Sequence, residues 1–264
     1  MLIRVVIVVL LAFPLLGWGQ SSVLLGNFLA TSPVSAPTAQ HQLNEHITRL
    51  KSKQSKKEIT FLHQIFWATQ KRFLKTYQAY EPFGELFESG KYDCLTATSL
   101  YSILLNEFDF EYSIIETNYH IFILVHTLQG DVLFETTDRY DGFVQDRSEI
   151  QKRIGTYQEN VVASAKPKSN YYLYSFNLYT QISTSQMVGL LHFNQAVKAF
   201  NKQEWIPCAN QLAITRKTYD SQRVKELALL LIQSVPMNEE NMRNSILHQF
   251  KDYWMNDQQT VAKR

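Results

Sequence analysis

Two hydrophobic periods alternate along the chain. Ile59, Leu62, Ile65, Phe66, Phe73 and Tyr77 recur mostly at steps of three and four, which predicts a helix over about 57–80. A shorter helix is expected over 41–53, and Pro82 and Gly84 break the pattern. The next apolar set is Ala97, Leu100, Tyr101, Leu104, Leu105 and Phe108. It predicts an amphipathic helix opening at Cys94, with Asp93 as its N-cap. After Asp109 the period falls to two. Strands are expected over 112–116, 119–127 and 132–137, the last two joined by a turn at Gln129-Gly130. A helix over 147–158 capped by Asp146 follows, then an aromatic-rich strand over 171–179. From Ser183 onward the pattern is helical, with breaks expected near Pro207, Asp220 and Pro236.

Helices, then strands, then helices make an α+β fold with an all-α tail. The expected division is a chemistry-bearing part over 41–180 and a helical region over 183–264. Ahead of them, Arg4 and the 12-residue apolar run Val5–Leu16 have the form of a signal peptide over 1–19. Gly17 and Gly19 supply the small residues for cleavage before Gln20. The run is short of the roughly 20 residues that span a bilayer comfortably. The expected product is exported, periplasmic or secreted; the alternative is an uncleaved N-terminal membrane anchor. Residues 20–40 hold Ser, Thr, Pro, Ala and Gln without a period and read as a mobile tether.

Composition narrows the chemistry. Over 264 residues the net charge is only +2, which offers no electrostatic footprint for nucleic acid. Two cysteines exclude a disulfide scaffold and a four-cysteine zinc site. No Gly-rich phosphate loop, His-Glu-x-x-His, Gly-x-Ser-x-Gly or Cys-x-x-Cys occurs, so no cofactor and no metal is expected. His41 and His46 have no carboxylate framework and are expected to be solvated.

What remains is Cys94, His120 and an acid after His120. A thiol at a helix N-terminus is expected to have a lowered pKa, because unpaired backbone N–H groups and the helix dipole favour negative charge. The same N–H groups can hold the oxyanion formed when sulfur attacks an acyl carbon. His120 would take the thiol proton and return it to the leaving group, and a carboxylate would orient the ring. The bland readings are a core cysteine on the face of Ala97 and Tyr101, and a satisfied strand histidine.

Gly90-Lys91-Tyr92-Asp93-Cys94-Leu95, Tyr119-His120-Ile121-Phe122 and Phe134-Glu135-Thr136-Thr137 resemble the transglutaminase-like, papain-related cysteine enzymes. More narrowly they resemble bacterial members with a tetratricopeptide-like helical tail. The resemblance implies a Cys-bearing helix packed on a small antiparallel sheet. It matches Cys94 to the nucleophile, His120 to the base and Glu135 to the acid, where the family usually has Asp-Pro-Thr. It implies acyl transfer from a peptide or isopeptide bond, or a glutamine carboxamide, to water or an amine. A three-residue loop at 128–130 would instead put His120 opposite Asp138, so Asp138 stays as the alternative acid. His126, six residues along the strand, lies about 20 Å away and is too far to substitute.

Cys208 reads as a small residue at a close helix contact, and a Cys94–Cys208 disulfide would block the nucleophile. Asn194 to Thr215 is similar to one degenerate tetratricopeptide unit, which cannot bury its own apolar face and should dock on something. The expected partners are a peptide or protein substrate and a protein bound through the helical tail; a membrane is a partner only if the apolar segment is uncleaved. The reading from a different class is an inactive fold of this type serving as an envelope scaffold.

Overall fold

The computed structural model describes residues 17–32, 36–118, 120–159, 178–253 and 255. The signal-peptide expectation falls largely on residues 1–16, and most of the expected strand 171–179 on 160–177; both lie outside the described residues.

The molecule is mixed α+β. Three helices come first: α1 (Gly17–Leu29), α2 (Ala36–Lys51) and α3 (Glu58–Phe73). A two-residue strand β1 (Thr76–Tyr77), the short α4 (Glu85–Glu88) and β2 (Lys91–Tyr92) lead into α5 (Cys94–Glu107). Then come β3 (Glu111–Thr117), β4 (Ile121–Thr127), β5 (Gly130–Phe134), β6 (Phe143–Val144), α6 (Arg147–Glu159) and β7 (Tyr179–Ile182). Four helices follow: α7 (Thr184–Asn201), α8 (Trp205–Thr215), α9 (Gln222–Ser234) and α10 (Glu240–Gln249). β3 to β7 form one antiparallel sheet in the order β6-β5-β4-β3-β7, while β1 and β2 pair in parallel.

Helix α5 is the centre. Every residue from Leu95 to Leu105 is buried, so it is enclosed on all sides rather than amphipathic as its apolar stripe suggested. Its polar side chains tolerate this because they bond locally: Ser99 Oγ donates to the Leu95 carbonyl (2.8 Å) and Ser102 Oγ to that of Ser99 (2.8 Å). One apolar core runs from Leu25 in α1 through α5 to Tyr253 after α10. A smaller cluster, Ile115, Phe122, Leu133, Val144 and Ile150, fills the other face of the sheet beneath α6.

Several expectations from the sequence are corrected. Residues 20–29 and 36–40 are not a tether, because α1 and the start of α2 occupy them and Leu25 and Phe28 are fully buried. Sparse apolar positions hid a helix whose Leu25, Phe28 and Leu29 reach the core while Val23 stays exposed. His46 is buried, not solvated: it bonds Thr69 Oγ1 (3.0 Å) and meets Phe73 edge-on. The helix from 57 ends at Phe73, seven residues early. The break expected at Pro207 comes at 202–204, with Gln203 left-handed (φ 61°). Pro207 sits in the first turn of α8, where the missing N–H costs nothing. The β4–β5 loop is tighter than expected, with Thr127 opposite Gly130 and only Leu128 and Gln129 at the tip.

Candidate active site

A pocket of about 230 Å³ opens between the N-terminus of α5, the β3–β4 connection and α7. Cys94, Asp93, His120, Asn118, Asn194 and Arg223 are among the residues that line it.

Asp93 sets the start of α5. Its carboxylate accepts from Thr96 N–H (2.8 Å) while Thr96 Oγ1 accepts from Asp93 N–H (2.8 Å), a closed capping box. The second carboxylate oxygen accepts from Tyr80 N–H (3.1 Å) and Asn194 Nδ2 (3.0 Å). Tyr80 takes positive φ (62°) to make this contact, a strained backbone position beside the pocket. Burial pushes the Asp93 carboxyl above its ordinary value, against the four hydrogen-bonding groups that favour its charged form.

His120 and Glu135 are joined directly: Nε2 lies 2.7 Å from Oε2. The strand register explains the meeting. Ile123 faces Phe134, so one further step sets Phe122 across from Glu135, with His120 two residues along on the same face. A diagonal neighbour of that kind is in reach of two long side chains. Glu135 is 4 % exposed and fully engaged. Tyr157 from α6 donates to Oε2 (2.6 Å) and Thr137 Oγ1 to Oε1 (2.8 Å). Burial raises the Glu135 carboxyl, but these donors and the His120 charge outweigh it and hold the group below its ordinary value. With Nε2 committed to the carboxylate, Nδ1 is the ring nitrogen left for a thiol.

Asp138, the alternative acid, is elsewhere. It accepts from Arg153 (3.2 Å) and from the backbone N–H groups of Tyr140 and Asp141. The two-residue loop removes the register that would have set it opposite His120.

Cys94 is half-buried and occupies the first position of α5. The expected low-pKa thiolate is corrected: burial pushes the thiol up, and the Asp93 and Glu135 carboxylates push the same way. The backbone N–H groups of Ile121 and Leu95 face the sulfur and oppose this without reversing it. A helix N-terminus offers only about half a charge to set against burial and two neighbouring carboxylates. Among the described residues the thiol makes no hydrogen bond to the imidazole. Cys94 and Cys208 are both free, so no disulfide joins them. Cys208 is fully buried in α8, and burial raises it to about 12.

His126 belongs to a separate relay, with Nε2 at 2.8 Å from Ser113 Oγ and Nδ1 at 2.8 Å from Asp131. The atom order is that of a hydrolase triad. Ser113, however, lies mid-strand opposite Leu124, where the backbone N–H groups serve the ladder and cannot hold an oxyanion.

Sequence patterning left out Tyr157, which holds Glu135, and the pocket residues Asn194 and Arg223. Tyr157 comes from α6, Asn194 from α7 and Arg223 from α9. Arg223 pairs with buried Glu116 (2.8 Å) and donates to the carbonyls of Thr117 and Asn118 (3.0 Å each), which fixes the turn that presents His120. The only available signal was an arginine in an otherwise apolar helix face beside Val224 and Leu227. Among the described residues no group of three or more His, Cys, Asp or Glu could hold a metal ion. No family model, no curated protein and no solved structure matches this chain.

Proposed function

We propose that this pocket is the acyl-transfer site of an exported cysteine enzyme with a transglutaminase-like, papain-related core and a tetratricopeptide-like helical tail. The observation that carries the reading is His120, held by a 2.7 Å bond to Glu135, on the wall of the pocket that also holds Cys94 at a helix start. The substrate class is a peptide or isopeptide bond, or a glutamine carboxamide.

The chemistry starts from a neutral thiol. As sulfur attacks the acyl carbon, its proton passes to His120 Nδ1, and Glu135 stabilises the imidazolium. The N–H groups of Leu95 and Ile121, which face the sulfur, are positioned to receive the developing oxyanion. The imidazolium then protonates the leaving amine, leaving a thioester on Cys94 that water or a second amine resolves. A neutral resting pair suits this order, since charge separates only once substrate is in place.

A second reading has its own observation. Burial, reinforced by the carboxylates of Asp93 and Glu135, favours the protonated Cys94 thiol, as in an inactive fold that serves as a binding scaffold. Exposure to an activated glutamyl ester, followed by intact-mass analysis, separates the two. Acyl-transfer chemistry requires one adduct on Cys94, absent in Cys94→Ala and formed at least about 100-fold more slowly in His120→Ala. An adduct rate indifferent to His120, or none at all, leaves the scaffold.

A further inference from the structure

We propose that the cleft between α2 and α3 binds the anionic headgroups of a phospholipid surface. The cleft encloses about 530 Å³, and Arg49, Lys53, Lys71, Arg72 and Lys75 stand around it. Its apolar wall includes Leu50 and Ala68. For a chain whose net charge is only +2, five cations around one opening is strong segregation.

The competing explanation is local. Cations in the last turn of a helix offset its dipole, and Lys75 does bond the Lys71 carbonyl at the end of α3. Arg72 is paired with Glu45 (2.8 Å). The dipole accounts for Arg49 and Lys71 in the last turns of their own helices, but not for Lys53, which lies beyond the end of α2, nor for the meeting of the two helix ends at one opening. These three are exposed and form no ion pair among the described residues. Like charges gathered within a Debye length repel one another, and a bound anion relieves that repulsion.

The apolar wall selects the kind of anion. A free phosphate needs only the cations, whereas a phospholipid sets its phosphate on the rim and its glycerol and first methylenes against Leu50 and Ala68. The position in the chain agrees. The apolar run Val5–Leu16 ends one residue before α1 begins. Ser22 of α1 shares a cavity with Thr48 and Lys51 in the last turns of α2. A basic cleft in a chain that also carries an apolar N-terminal run supplies the two signals that hold a protein on an anionic leaflet.

The test uses the full chain, co-sedimented with phosphatidylglycerol-containing vesicles and with pure phosphatidylcholine vesicles. The expected result is preferential binding to the anionic vesicles, weakened by salt. Lys53→Gln with Lys71→Gln should lower that binding by roughly 25-fold, about five-fold for each cation. Binding to phosphatidylcholine and the thermal midpoint should not change. Equal binding to both vesicles, or a double variant that binds as well as the wild type, overturns the proposal. So does displacement by inorganic phosphate at an ionic strength matched with chloride, which would make the cleft a phosphate site. None of these outcomes depends on Cys94 chemistry.

Discussion

His46 is wedged between Thr69 and Phe73 with the guanidinium charges of Arg72 and Arg49 nearby. Burial, reinforced by those charges, lowers its pKa from 6.5 to about 4. The unfolded chain therefore takes up a proton below pH 6.5 that the folded chain refuses until about pH 4. Stability should fall as pH drops through that window, by about 3 kcal/mol from this group. In His46→Leu, urea midpoints measured across the window should show a slope shallower by close to one proton. Glu135 acts in the same direction over a lower window. Its lowered pKa contributes stability that is complete above the unfolded carboxylate value and is lost as pH falls through the folded value. Glu135→Gln should cost about 1–3 kcal/mol at neutral pH. The cost should shrink in acid, where the wild-type carboxyl is itself neutral. Asp138→Asn, which loses only a partly exposed pair to Arg153, should cost under about 1 kcal/mol at every pH. A larger loss there would return Asp138 to the argument.

Between elements, the acid is held by how closely β6 returns to β5. Glu135 N–H donates to the Gly142 carbonyl (2.8 Å). A Cβ on Gly142 would collide with the carbonyl oxygens of Glu135 and Asp138 and come within 2.8 Å of Phe66. Only glycine allows this approach. Gly142→Ala should therefore destabilise the fold by about 1–3 kcal/mol and displace the Glu135 backbone. Unfolding by urea reads the first effect, and the ring resonances of His120 read the second. An unchanged imidazole spectrum would mean that Glu135 is held by Tyr157 and Thr137 alone. At the other end of the pocket, the Asp93 capping box fixes the first turn of α5 and thereby the position of Cys94.

At the scale of the molecule, the C-terminal helices and the sheet are locked by a buried charge pair. Arg223 and Glu116 are 7 % and 2 % exposed at their side chains, and Tyr219 also donates to Glu116 (2.6 Å). Removing one partner of such a pair leaves a buried charge unmet, which costs about 3–5 kcal/mol. Arg223→Met should lower stability by that amount, measured by urea denaturation. Adding Glu116→Leu should recover most of it, because an apolar pair of similar volume needs no compensation. A double variant as unstable as the single one would show that the arginine's bonds to the Thr117 and Asn118 carbonyls dominate instead.

The sequence was most informative where a period is local. The helix start at Cys94 behind Asp93, the change to period two after Asp109 and the placement of β3, β4 and β5 all follow from side chains a few residues apart. The proximity of His120 and Glu135 was readable only as a pair of alternatives. One residue of loop length decides between Glu135 and Asp138, and that length is set by backbone geometry at Leu128-Gln129. The helical nature of 20–29 was hidden because its apolar residues mean little until α5 is there to receive them. The charge state of Cys94 was decided by tertiary structure alone. A helix N-terminus favours the thiolate, but Glu135 reaches the sulfur from another strand, and burial depends on everything packed around the pocket. Short-range patterning determined the elements, while the contacts between them decided the electrostatics of the site.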